Sequence, residues 1–445
     1  MSDKLSGAAG AIKINPPNGT SMAGYFTDRK SEGVHDDLYA SVLVLEKAGT
    51  RLLLVACDLC YLLEETALPI RQDIAARTGT PLDRVLLGCT HTHTGPMTEG
   101  PLMDARYMAD VRKWIADAAA DACGRPAPLS LSYGSGTDSR FAFNRRYLMK
   151  DGTVMTNPGL NNPAVVRSAG TVDHSVNVIT AKDAGGRVVA VLANTACHPD
   201  TVDGNLISAD WPGALRAAVQ KSVGSPVPVL VWNGPAGDVN HFDVMGGRIV
   251  QNIEEARRIG AGYGATVVEV MARSKPLPAS PLAAFTETVS IPRRSFKDGE
   301  IEEARRTVTA LENDPEARLE GHLESQDIAR GNKAVKLMFA RKMLEAAAMP
   351  ADKKLPMGLV RIGDLGILTI GGEPFTDIGL AMKRESPFRH SFVAELVNGS
   401  AGYLGTKLSY GQGGYETLQG NRVCDEAEDY ILEAARRLMK RGTAS

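Results

Sequence analysis

The sequence predicts an α/β fold: a mixed, layered β-sheet core flanked by helices, with a helical insertion. Three observations carry that expectation. Short apolar runs bounded by turn residues recur along the 445 residues and read as buried strands. Several are joined by tight Gly-containing turns, the signature of hairpins. Between them lie segments of helical spacing that end at glycine. Strands mixed with helices in this way argue for layers of sheet and helix around a shared core.

The elements follow in order. Ala11–Asn15 is a short apolar stretch closed by Pro16-Pro17. Leu38–Glu46 and Arg51–Leu59 flank Lys47-Ala-Gly-Thr50, a hairpin turn. Glu64–Thr78 has helical spacing and stops at Gly79; the apolar run after Arg84 is a buried strand, and Tyr107–Cys123 is a helix stopped by Gly124. A second hairpin joins Ser175–Thr180 to Arg187–Asn194 through Asp183-Ala-Gly-Gly186. Ser208-Ala-Asp-Trp-Pro-Gly213 opens a helix, Val227–Trp232 is a strand, and Gln251–Arg273 is a long helix whose Gly260, Gly262 and Gly264 suit close packing. Phe285–Ile291 alternates like a strand. Residues 297–349 are charged and helical in spacing, and are expected to form two or three helices as a cap or insertion with a solvated face. Leu359–Ile370 gives two strands about Gly363-Asp364, Val393–Val397 another, and Asp425–Arg441 a closing helix. No internal repeat or low-complexity linker is legible, so residues 1–445 are expected to form a single domain.

Composition narrows the function. A formal net charge of −2 with 23% charged residues gives no reason to expect nucleic acid or an anionic membrane surface as partner. No stretch approaches the run of about 20 apolar residues needed to span a bilayer. The first residues carry no secretory h-region, so a cytoplasmic location is expected. The six cysteines are scattered and expected to be reduced; Cys57 and Cys60 stand at an odd offset in an extended segment, which points them to opposite faces and argues against joint chelation.

Chemistry concentrates where strands end. The run Val85–Cys89 leads into Thr90-His-Thr-His-Thr-Gly-Pro96, and in extended chain His91 and His93 project to the same side. A catalytic zinc typically takes about three protein ligands and keeps one position open. The strand before Thr195-Ala-Cys-His198-Pro199 repeats the pattern and supplies a third imidazole; Gly371-Gly-Glu373-Pro374 places a carboxylate at another strand end. The turn Asn233-Gly-Pro-Ala-Gly-Asp238 either admits close backbone approach to a ligand or serves as a tight structural turn. Arg145-Arg146, among aromatics, reads by itself as a solvated or stacked structural pair.

Taken in order, these pieces resemble the neutral (non-lysosomal) ceramidase family. The resemblance rests on Gly33 to Ala40, Thr90–Pro96, Asn144-Arg145, Ala196-Cys-His-Pro199, Ser208–Gly213, Asn233–Asp238, Gly372-Glu-Pro374, Gly402-Tyr403 and Tyr415-Glu416, and so spans nearly the whole chain. It implies a zinc ion held by His91, His198, Glu373 and Tyr403, with His93, Arg145 and Tyr415 lining the active site. Asn240 stands where family members commonly carry serine, which excludes a serine nucleophile there. The immunoglobulin-like C-terminal domain and signal peptide of the secreted members are not expected, and no basic amphipathic helix offers access to a lipid surface. Both points turn the expectation away from ceramide, and away from stable membrane association.

The resulting expectation is a zinc-dependent hydrolase that cleaves the C–N bond of a small soluble N-acyl or cyclic amide with metal-activated water. The same site would serve an ester or lactone hydrolase, or a ceramidase proper. From another class, a binding protein with a structural metal is the alternative, although structural zinc sites are usually closed by Cys and His. A homo-oligomer is compatible with the sequence.

Overall fold

A computed structural model describes residues 4–25, 27–318, 331–418 and 420–444. Its organising feature is a unit of three antiparallel strands, a helix, a fourth strand parallel to the third, and a second helix. The first unit comprises β1 (Ser6–Lys13), β2 (Tyr39–Lys47), β3 (Thr50–Cys57), α1 (Glu64–Thr78), β4 (Val85–Cys89) and α2 (Ala105–Cys123). The second repeats it with β5 (Ala127–Thr137), β6 (Ser175–Asp183), β7 (Val188–Thr195), α3 (Asp210–Val223), β8 (Val229–Asn233) and α4 (Ile253–Arg273). The third begins with β9 (Leu282–Pro292) and is interrupted by α5 (Glu300–Leu311) and α6 (Lys333–Ala348). It resumes with β10 (Asp352–Ile362), β11 (Leu365–Ile370), α7 (Thr376–Arg384), β12 (His390–Glu395) and α8 (Ala427–Thr443). This threefold repeat of topology has no legible counterpart in the sequence.

Antiparallel pairing of β1 with β5 joins the first two units edge to edge. The result is a sheet of order β8-β7-β6-β5-β1-β2-β3-β4, with the short strand Lys275–Pro276 against β5; the third unit makes a separate sheet of order β9-β10-β11-β12. Strand alternation explains how the sheets are covered. Along β3, Leu52, Leu54 and Ala56 face the small sheet, where they pack with residues such as Val360, Ile367 and Phe392. Leu53, Val55 and Cys57 face the other way, onto α1 and α2. Val191 and Val229 likewise face α3 and α4, while the small sheet's Leu359 and Leu368 face α7 and α8. The chain is thus layered helix, sheet, sheet, helix, as an α/β layered reading requires.

Local sequence accounts for most boundaries. The β2–β3 turn has positive φ at Ala48 (48°) and Gly49 (82°), the twist that a two-residue hairpin favours. Gly79 closes α1 in the left-handed region, and Asp104 caps α2 by accepting from the amides of Arg106 and Tyr107. The α4 glycines pack as expected: a Cβ on Gly260 would lie 2.4 Å from the Trp211 carbonyl oxygen on α3. Two elements are absent from the sequence reading, β5 and α7. The Ser- and Gly-rich β5 has low strand propensity, but Gly136 lets it lie flush against α4, where a Cβ would meet Val270 at 2.7 Å. In the insertion α5 and α6 match the expected helices; residues 319–330 of that stretch lie outside the described residues. No described helix is long and apolar enough to cross a membrane.

Candidate metal centre

The histidine pair sits where the large sheet curls on itself. Trp232, in β8, donates from Nε1 to the Val55 carbonyl of β3 at 3.0 Å, and the bare Cα of Gly88 in β4 gives its ring room. That contact brings the end of β7, and hence His198, beside the end of β4. Across from them Asn398 clamps the small sheet to β4: its amide donates to the Leu87 carbonyl at 2.7 Å, and its Oδ1 accepts from the Leu87 amide at 2.9 Å. Strand ends from all three units therefore converge.

The extended-chain argument for His91 and His93 needs correction. β4 stops at Cys89, and His91 has φ of 77°, a left-handed conformation that costs about 1–2 kcal/mol for a residue bearing a Cβ. The rings still converge, with Nε2 atoms 3.4 Å apart, because the backbone folds rather than because it alternates. Gly24 makes room for His93, since a Cβ there would lie 2.5 Å from the His93 ring.

Three donors meet in the buried interior. His91 Nε2 lies 3.0 Å from His198 Nε2 and 3.3 Å from Glu373 Oε2, which is 3.7 Å from His198 Nε2. Ligand atoms about 2.0–2.1 Å from a tetrahedral zinc stand roughly 3.3 Å apart, so the spacing fits such an ion. The tautomers fit as well. His91 Nδ1 donates to the Cys60 carbonyl at 2.8 Å and His198 Nδ1 to the Ala236 carbonyl at 3.0 Å. A carbonyl can only accept, so each ring carries its proton on Nδ1 and aims an Nε2 lone pair at the other. Glu373 Oε2 is buried, faces both nitrogens and has no hydrogen bond. Three lone-pair donors in mutual contact need a cation among them. Burial disfavours charge on His91, yet the Cys60 thiol and the Glu373 carboxylate outweigh it and raise its pKa well above the usual imidazole value. Without a metal, that direction places a second proton on His91 at Nε2, facing Glu373, where a divalent metal would otherwise stand.

The remaining expected residues surround this triad. Tyr403 pairs with Glu373 on the parallel ladder of the short strands Glu373–Pro374 and Tyr403–Leu404, which sets it one rung from the carboxylate. Burial, and then Glu373, push its phenol well up, while Arg145 opposes them. Tyr415 meets the Tyr403 ring edge-on at 5.7 Å. The Arg145 guanidinium lies 5.3 Å from the Tyr403 ring centroid. Of the two readings of Arg145-Arg146, solvated or stacked, the solvated one fails: both are buried over aromatic rings, Arg146 over Phe375, with Glu416 buried between them and Arg145 Nε at 2.8 Å and Arg146 at 3.2 Å from its two oxygens. His93 is pushed down to about 3 by burial and by His91, so it is neutral near pH 7.

All seven expected residues thus share one locality. The Gly-rich turn serves the site through its backbone: Ala236 holds His198, the Gly237 carbonyl accepts from Arg145 at 2.8 Å, and Gly237 lies against the Glu373 backbone. Sequence reasoning gave no role to Glu416, which holds Arg145, or to Tyr25, whose ring meets that of His93 edge-on at 5.6 Å. Tyr25 carried no signal of its own, and Glu416 appeared only within the Tyr415-Glu416 resemblance; the odd offset of Cys57 and Cys60 spoke only against their joint chelation. The cavity over the triad measures about 380 Å³ and is walled by His93, Tyr403 and Tyr415, with Lys342, Lys353 and Arg422 also on its lining. α6, expected as a solvated cap, contributes Lys342 to that wall.

A helix–sheet–sheet–helix protein with a His-His-Glu cluster at converging strand ends is an architecture suited to metal-assisted chemistry. Among solved structures the same fold occurs in neutral ceramidase from Pseudomonas aeruginosa, with a TM-score of 0.73 and 20% identity over 99% of this chain and 75% of that one. It occurs also in a ceramidase complexed with C2, with a TM-score of 0.72 and 18% identity over 99% of this chain and 76% of that one. At these identities the likeness is one of fold. No protein-family model and no curated protein sequence matches the chain.

Proposed function

We propose that the protein is a zinc-dependent amidohydrolase acting on a small polar N-acyl or cyclic amide. The observation that carries this reading is the orphaned Glu373 Oε2, buried against two Nε2 lone pairs. His91, His198 and Glu373 would hold the ion, with the Tyr403 oxygen beside them. A mixed set of imidazole and carboxylate is typical of hydrolytic zinc, which keeps a position for substrate. When bound, zinc supplies a Lewis acid that acidifies water and polarises the scissile carbonyl.

The chain's own groups do the rest. His93 is neutral and next to the triad, so its ring can accept a hydrogen bond from the attacking water and orient it, although a value pushed down to about 3 makes it a weak proton acceptor. Tyr415, whose phenol burial keeps protonated, donates toward the oxygen that gains charge. Arg145, fixed by Glu416 and Gly237, supports Tyr403 and adds positive potential. A cavity of about 380 Å³, lined by Lys342, Lys353 and Arg422 together with Glu99 and Glu345, offers charged groups of both signs to a compact polar substrate.

The test is a panel of small N-acyl amides, lactams, lactones and esters offered to zinc-loaded protein without detergent. Amide turnover is expected, with His93→Ala keeping its zinc and losing about 10²–10⁴ in rate. Zinc-loaded protein that cleaves only lactones or esters, or turns over long-chain ceramide fastest, would overturn the substrate class.

A further inference from the structure

The three units can be compared residue by residue, because each closes its third and fourth strands in the same parallel register. Cys57 pairs with Cys89, Thr195 with Asn233, and Ile370 with Glu395. In the first two units the next residue of the fourth-strand side, Thr90 or Gly234, donates its amide to the carbonyl of Cys57 or Thr195, both at 2.9 Å. Cys57, Thr195 and Ile370 are therefore equivalent. Three residues beyond them stand Cys60, His198 and Glu373. Two of these three positions carry members of the converging triad. The third carries the other side chain that binds transition metals strongly, a thiol.

The surroundings of Cys60 agree. It is buried, and it lies on the wall of the same cavity as His91, His93 and Glu373. Its Sγ is 3.7 Å from the His91 ring at Nδ1, and donor atoms of Cys60, His91 and His93 all lie within 4.8 Å of one another. His91 therefore belongs to two potential ligand triads. That contact is to Nδ1, the nitrogen that faces the Cys60 carbonyl, so Sγ reaches an ion held at Nε2 by rotating its side chain toward the cavity. Cys57, by contrast, is packed among apolar side chains under α1 and α2. The unpartnered Glu373 Oε2 independently marks an ion between these elements.

We propose that Cys60 is a further ligand of this centre, its thiolate binding the same ion as His91, His198 and Glu373. The proposal rests on the reading of the triad as a metal site. As the sulfur–metal bond forms, the S–H proton leaves to solvent, so one additional proton is released per ion bound. With the Tyr403 oxygen beside the ion rather than bound to it, four protein donors still permit catalysis, because zinc accepts a fifth group in the transition state. A soft sulfur donor also biases the site toward zinc and away from magnesium or manganese.

X-ray absorption at the zinc edge, on zinc-loaded full-length protein, reads the ligand set directly. One sulfur scatterer is expected at about 2.3 Å beside nitrogen and oxygen at about 2.0–2.2 Å. Cys60→Ser should erase the sulfur shell, keep the lighter one and weaken zinc binding by tenfold or more, whereas Cys57→Ala should keep the sulfur. Zinc bound by nitrogen and oxygen alone in the unaltered protein overturns the assignment of Cys60 and leaves the hydrolase reading standing. Failure to bind stoichiometric zinc overturns both. The spectrum of the unaltered protein decides the matter even where the serine variant does not fold.

Discussion

Replacing Glu373 by glutamine changes one atom at the point where the three donors meet, and its consequences can be worked out. The side chain is 7% exposed and its Oε2 faces His91 and His198 at 3.3 and 3.7 Å. In metal-free protein the carboxylate is balanced by a proton on His91, and a buried pair of this kind gains little net stability after desolvation. Glutamine removes both charges together, so the metal-free variant should differ from the parent by no more than about 1 kcal/mol. The metal-bound state differs sharply, because a neutral amide replaces an anionic ligand. If zinc affinity falls about a hundredfold, the stabilisation that saturating zinc confers should shrink by about 2.7 kcal/mol. Urea denaturation of both proteins, with and without zinc, separates the two effects. An unchanged zinc-dependent stabilisation in Glu373→Gln would refute the assignment of this carboxylate to the metal; a large loss confined to the metal-free protein would make it an ordinary structural group.

Two other predictions rest on buried groups around the site. Tyr403→Phe keeps the ring that packs on Tyr415 and removes the oxygen beside Arg145, so turnover should fall about a hundredfold, on the scale of a lost oxyanion contact. Steady-state kinetics on the best amide measures this, and near-normal turnover returns Tyr403 to a packing role. Asp238 is pushed up to about 6 by burial, against the hydrogen bonds from the Thr376 amide and Asn144. Its neutral form is favoured on folding, so the associated stability is complete below about pH 4 and is lost as pH rises through 6. Relative to Asp238→Asn, the parent should lose about 2 kcal/mol between pH 4 and 6, measured by denaturation at each pH; a flat difference contradicts it.

Local pattern made much of the fold readable. Alternation and turn chemistry marked both hairpins, because Gly49 and Gly186 occupy positions that need positive φ. The glycine stop after Thr78 and the packing glycines of α4 were legible for the same kind of local reason. β5 was not, since its place depends on α4 filling the space above Gly134 and Gly136, a contact between residues far apart in sequence. The threefold repeat escaped notice because topology and register recur while side chains do not. At the site, the imidazoles and the carboxylate of the triad announced themselves as polar residues closing apolar strands. Tyr403, Tyr415 and Arg145 came from family resemblance, as their positions are set by the Glu373 ladder and by Glu416. Cys60 stands three residues past the third strand of its unit, as His198 and Glu373 do in theirs, a correspondence of register that comparison with Cys57 along one strand does not reveal.

Metal analysis of the purified chain and of two variants tests the central claim most directly. The unaltered protein should hold about one zinc ion per chain, and His91→Ala and His198→Ala should each lose it together with amide turnover. Full zinc occupancy in both variants, or none in the unaltered protein, would contradict a metal centre at these converging strand ends.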